Sequence, residues 1–113
     1  MRAYIAMTLI ATGLLTGCVP TEKQYDAAVR VLRGSERERN GLLDECIRRL
    51  GFSDKKARHN AAVVMSVAEK DAPKVACSRY TKAIVSGSIT YQDTLDIKNG
   101  RYTPKLIKIF QGR

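Results

Sequence analysis

Residues 41–51 read Gly41-Leu42-Leu43-Asp44-Glu45-Cys46-Ile47-Arg48-Arg49-Leu50-Gly51, and their spacing decides the fold. Leu42, Leu43, Cys46, Ile47 and Leu50 recur at intervals of three and four, the mark of a helix with one buried stripe. Arg48 and Arg49 fall in the last turn, where cations meet the negative end of the helix dipole, and Gly51 offers a left-handed cap. A second cysteine-bearing stretch has the same period. It opens at Asp71-Ala72-Pro73, since proline fits a first turn whose amide needs no helical partner. Cys77, Tyr80 and Ile84 then share one stripe, flanked by Val75, Ala76 and Ala83, and Gly87 ends the helix. Both cysteines therefore lie on inward helix faces.

Between these stretches, Ser53 caps a helix that begins at Asp54, with Ala57, Ala61, Val64, Met65 and Ala68 as its apolar side. Downstream, Thr90-Tyr91-Gln92-Asp93 has capping-box form with Asp in the last place, and opens a short helix through Leu95 and Ile97 to Gly100. Thr103-Pro104 begins a last amphipathic turn or two, with Leu106, Ile107, Ile109 and Phe110 as apolar members.

Upstream, Pro20 biases Val19 towards extended geometry, so the helix starts later. Thr21 is its N-cap, Glu22 lies in the first turn, and Tyr25, Ala28, Val29 and Leu32 follow at helical spacing. Arg33 to Asn40 is polar all round, and Ser35-Glu36-Arg37-Glu38 again has capping-box form. Either one helix runs from Glu22 to Leu50, or two meet near Gly34. The nearly continuous helix is the expectation, with residues 22–40 as a stalk. No stretch shows the alternation of a strand.

The start of the chain is of another kind. Arg2 precedes an uncharged, largely apolar run from Ala3 to Leu15, which ends in Leu15-Thr16-Gly17-Cys18. A membrane-spanning helix needs about 18 to 20 apolar residues; this run is shorter, and Pro20, Glu22 and Lys23 follow it. These 18 residues resemble a bacterial lipoprotein signal peptide, with Leu15-Thr16-Gly17-Cys18 as its lipobox. The resemblance implies a diacylglyceryl group on the Cys18 thiol, cleavage between Gly17 and Cys18, and further acylation of the new amino terminus by a fatty acid such as palmitate. An ordinary secretory signal shares the charged, apolar and small-residue parts, but does not require a cysteine after Gly17. Two or three acyl chains hold a protein on a bilayer where one gives only marginal binding. Val19 stands where inner-membrane lipoproteins of enteric bacteria commonly carry Asp, so the outer membrane, facing the periplasm, is the expected address. The expected organisation is a signal peptide over 1–17, a lipidated linker over 18–21, and one helical domain over 22–113.

Composition agrees with one small domain. The chain has 113 residues and a formal charge of +9. Without the leader, 96 residues remain at +8, because the leader carries only Arg2. That length suits one core and not two. The cations are spread along the chain, aromatics make up 6% and tryptophan is absent. A base-stacking platform is therefore poorly supplied, and no nucleic-acid partner is expected. Anionic lipid head groups are the nearer partner for a basic chain tethered to a membrane; a merely solvated basic surface is the alternative. With Cys18 lipidated, Cys46 and Cys77 remain. An oxidising compartment is expected to join them in a disulfide rather than leave two buried thiols. Closing a loop of about 32 residues stabilises a fold by roughly 3 to 4 kcal/mol in the chain-entropy model. The expected fold class is all-α: a small helical bundle stapled by one disulfide.

Chemistry is hard to find in this chain. Cys46 and Cys77 fit neither a C-x-x-C redox pair nor a four-ligand zinc site, and His59 is the only imidazole. Arg58 and Asn60 beside it give no positioned base. Asp44 and Glu45 are adjacent on a helix and diverge, so no carboxylate pair faces another across a scissile bond. No phosphate-cradling glycine loop is present. No catalytic, metal or cofactor residues are assigned, and no enzyme is expected.

A second resemblance is carried by Cys77-Ser78-Arg79-Tyr80, Ala83-Ile84, Ser86-Gly87, Ile89-Thr90-Tyr91 and Asp93, ending near Thr103-Pro104. This pattern resembles small exported proteins of alphaproteobacteria, over the last third to half of the chain. It implies an exported helical domain and brings no activity with it. The expected function is that of a membrane-anchored envelope lipoprotein acting as a structural or protein-interaction module, with an envelope protein as partner. The alternative is a pilotin-like, or conjugation- or secretion-associated, lipoprotein that assists an outer-membrane complex.

Overall fold

A computed structural model describes residues 19–51 and 54–113. Among the described residues all regular structure is helical. The described residues form six α-helices, α1 (Glu22–Gly34), α2 (Glu36–Gly51), α3 (Lys55–Met65), α4 (Ala72–Ser86), α5 (Tyr91–Lys98) and α6 (Pro104–Phe110), and a 3-10 turn at Glu69–Asp71 leads into α4. The expected all-α bundle is the fold, and Cys46 and Cys77 form its disulfide.

Most helix starts follow from their capping residues. Thr21 Oγ1 accepts from the Gln24 amide, and Gln24 Oε1 accepts from the Thr21 amide at 2.8 Å. This reciprocal box satisfies two donors that a helix end would otherwise leave bare. Thr90 and Asp93 make the same box at α5, and Thr103 caps α6 ahead of Pro104. At α3 the cap is Asp54, whose Oδ1 accepts from the Lys56 amide; the expected cap, Ser53, lies outside the described residues.

The nearly continuous helix from Glu22 to Leu50 is corrected. Ser35 is extended (φ −141°, ψ 111°) and separates α1 from α2. Its Oγ accepts from the Glu38 amide, so it serves as the N-cap of α2. Arg39 reaches back and donates to the carbonyls of Leu32 and Arg33, which α1 leaves unpaired at its end. Local capping therefore outcompetes helix continuation at this elbow. Residues 22–34 do not stand off as a stalk either. Val29 is buried, Tyr25 Oη donates to the Ile89 carbonyl, and Arg33 Nε donates to the Val85 carbonyl. Tyr25, Val29 and Leu32 on α1 pack against the rest of the bundle, while Ala28 stays exposed.

Helix α4 is the central element and contributes to two cores. The first core joins Val29, Ala83, Ile84, Ile89 and Leu106, with Tyr25, Leu42, Tyr80 and Ile97 packed around it. The second joins Ala62, Met65, Ala72 and Ala76, edged by Val67, Val75 and Phe110. Cys77 and Leu106 are completely buried.

The buried side of α3 is the expected one only in part: Met65 is inside and Ala61 packs at its edge. Ala62 is inside as well, while Val64 is 44% and Val63 65% exposed, and Ala57 and Ala68 also face outward. The cause lies at the helix end. Ser66 adopts the left-handed conformation (φ 57°, ψ 46°), donating to the Val63 carbonyl while Val67 donates to that of Ala62. This is a Schellman end without glycine. It turns the chain so that Val67 packs against the Ala62 side.

Candidate functional site

The disulfide joins α2 to α4, with Cα atoms 5.7 Å apart and a sequence separation of 31 between the partners. The cysteines meet face to face, Cys77 fully buried on α4, but the stripe expected on α2 is only half-buried: Leu42, Leu43, Cys46 and Ile47 are partly covered and Leu50 is exposed. Cys18 lies outside the described residues, as does the leader before it. The described chain begins at Val19, and its entry into the bundle is well defined: Tyr91 Oη donates to the Pro20 carbonyl at 2.7 Å.

Next to the staple, α2 and α4 leave an open groove of about 390 Å³. Leu43, Thr81 and Val85 line it together with Arg39, Lys82 and the small polar residues Asn40, Ser78 and Ser86. No carboxylate lines it. Thr81 is buried, and its Oγ1 has no hydrogen-bond partner among the described residues.

A second groove, of about 500 Å³, is lined by Ser88, Lys105, Lys108, Ile109 and Arg113. Its organising contact is the ion pair from Lys105 Nζ to Asp93 Oδ2 at 2.6 Å. Asp93 also accepts from the Thr90 amide at 2.8 Å. Burial by itself pushes the Asp93 carboxyl upward. The hydrogen bonds from Lys105 and Thr90 outweigh it and hold the group below the ordinary carboxylate range. Glu45 is also held low, by hydrogen bonds from Arg48 and Arg49, but on an exposed helix face.

His59 is brought to a partner that its sequence neighbours do not reveal. Its Nδ1 lies 2.8 Å from Glu69 Oε1, ten residues away, because the left-handed turn at Ser66 folds the 3-10 turn back beside α3. Both side chains are well exposed, so the pair sits on the open surface rather than in a closed site. Among the described residues no cluster of His, Cys, Asp and Glu has the makings of a metal site, and no helix is long and apolar enough to cross a membrane.

Fold and surface together define a small disulfide-stapled helical bundle with two open grooves, each with basic side chains in its lining. No family model, curated protein or solved structure matches the chain.

Proposed function

We propose that this chain is a lipid-anchored lipoprotein of the bacterial envelope, held by acyl chains on Cys18 to a membrane facing the periplasm, the outer membrane first of all. There it acts as a structural or protein-interaction module and not as a catalyst. The observation that carries the reading is the Leu15-Thr16-Gly17-Cys18 sequence placed directly before the bundle. The Cys46–Cys77 disulfide supports it, because such bonds persist in oxidising compartments. The groove between α2 and α4 is the surface offered to a protein partner: an apolar floor at Leu43 and Val85 with Arg39 and Lys82 beside it suits a helix laid into it.

The test combines intact mass and crosslinking in cells of the native host. The purified protein should carry acyl chains on Cys18, and a Cys18→Ser variant should leave the membrane fraction. Photo-reactive residues at Leu43 and Val85 should capture one dominant envelope protein. A secreted, unlipidated species would remove the anchor. Adducts to lipid alone would remove the interaction module.

A further inference from the structure

We propose that the groove of Ser88, Lys105, Lys108, Ile109 and Arg113 seats the phosphate of an anionic phospholipid headgroup, and thereby turns this face of the bundle towards the bilayer. The inference rests on the lipid-anchored reading for its setting, but its chemistry and its test do not depend on acylation.

Charge is the first argument. Three of the five lining residues are cations and none is a carboxylate. Lys105 is fixed by Asp93 yet keeps half of its side chain exposed. The Lys108 ammonium has no ion-pair or hydrogen-bond partner among the described residues, and the Arg113 guanidinium donates only to the neutral Gln111 Oε1. Neither of these two cations in the same concavity is paired with an acidic side chain among the described residues. Ser88 adds a hydroxyl, a donor suited to a phosphate oxygen. Ile109 adds an apolar wall for the glycerol carbons next to that phosphate.

Position is the second argument, and it selects a membrane over a free anion. The first turn of α5 touches both the chain entry and one lining residue of the groove. Tyr91 binds the Pro20 carbonyl, while Asp93, two residues on, binds Lys105. Ser88 precedes Tyr91 by three residues, at most about 11 Å of extended chain. Cys18 precedes Pro20 by two residues, at most about 7 Å. A lipid anchor there keeps the groove within reach of the membrane surface, at an effective lipid concentration that makes a weak site an occupied one. Cations close to an anionic leaflet each contribute about fivefold in partitioning.

The experiment uses the chain from Val19 onward, which carries both cores and the disulfide and has no acyl chain. Sedimentation with phosphatidylcholine vesicles containing phosphatidylglycerol is compared with phosphatidylcholine alone. Preferential binding to the anionic vesicles is expected. Lys108→Glu with Arg113→Glu should lower it by at least about 25-fold, and Lys108→Gln alone by about fivefold. Reversing Lys55 and Lys56 on α3 should change it far less. Equal losses from both reversals would overturn the site in favour of diffuse charge, and equal binding to neutral vesicles would overturn it outright. Saturable binding of inorganic phosphate without vesicle preference would assign the groove to a soluble anion and overturn the membrane source. Since acylation enters none of these readouts, failure here and failure of the Cys18 anchor are separately visible.

Discussion

Tyr91 Oη and the Pro20 carbonyl, 71 residues apart in sequence, are 2.7 Å apart in space. Together with the Tyr25–Tyr91 ring contact, at 5.9 Å between centroids, this bond sets where the chain leaves the bundle. Tyr91→Phe keeps the ring and removes the bond. Because the bond is solvent-exposed, global stability should fall by no more than about 1 kcal/mol. Amide exchange over Thr21 to Tyr25 should accelerate. An unchanged exchange pattern would show that the α1 capping box alone holds the chain entry.

The disulfide predicts an asymmetry that its spacing alone does not. Each of Cys46→Ser and Cys77→Ser removes the staple and should cost roughly 3 to 4 kcal/mol. Cys77 is fully buried and Cys46 only partly so, and a serine hydroxyl placed in the Cys77 site adds a desolvation penalty of about 1 kcal/mol or more. Urea denaturation of both variants, with reduced wild type as reference, should rank Cys77→Ser as the less stable. Equal losses would mean that the Cys77 site opens to water once the bond is gone.

Why the cysteine pairing was legible, and the elbow and α3 were not, has a physical basis. Cys46 and Cys77 sit in stripes of period three to four, so helix geometry alone turns both inward. Thr21, Thr90 and Thr103 announce helix starts because capping is local chemistry, readable from three or four adjacent residues. Ser35 carried the same signal, but its strength against helix continuation depends on Arg39 taking the end of α1, a contact across the elbow. The left-handed turn at Ser66 has no glycine to mark it. With it went the register of α3 and the His59–Glu69 meeting. Both grooves are products of packing between separate helices, and only their scattered cations are visible in one dimension.

Acid stability should report on Asp93. Its carboxyl is held below the ordinary range in the folded protein, so its contribution is present above the unfolded-state value and is lost as pH falls through the folded one. Stability should therefore decline between about pH 5 and pH 2, and Asp93→Asn should flatten that decline. Lys105→Met keeps the stem and removes the charge, and should move the decline upward towards the ordinary carboxylate value. Denaturation at several pH values reads all three proteins. Identical acid limbs would place the titrating group elsewhere.

At the alkaline end burial raises the phenols of both Tyr25 and Tyr80 above the ordinary tyrosine value; the ring of Tyr80 stacks on Phe110 with planes 4° apart. A group raised in the folded state gives stability below its unfolded value that is lost as pH climbs towards the folded one. Stability should fall above about pH 10, and Tyr80→Phe should remove part of that fall while leaving neutral-pH stability within about 1 kcal/mol. Absorbance titration of the tyrosinate band offers the direct check. A Tyr80 phenol that titrates with the exposed tyrosines would contradict the burial argument.

Thr81 tests the groove between α2 and α4 from the inside. Its Oγ1 is buried without a partner among the described residues, and an unsatisfied buried hydroxyl carries a desolvation cost of about 1 to 3 kcal/mol. Valine has nearly the same shape and branching, so Thr81→Val removes that cost without changing helix propensity much. It should raise stability, by up to about 1 kcal/mol after imperfect packing is allowed for. Thr81→Ala also deletes the methyl group of a buried residue that lines the groove with Leu43 and Val85, and should fall below wild type because the wall of the groove is thinned. The expected order is therefore valine, threonine, alanine. If threonine proves more stable than valine, the hydroxyl is satisfied in solution and the burial cost assigned to it is refuted.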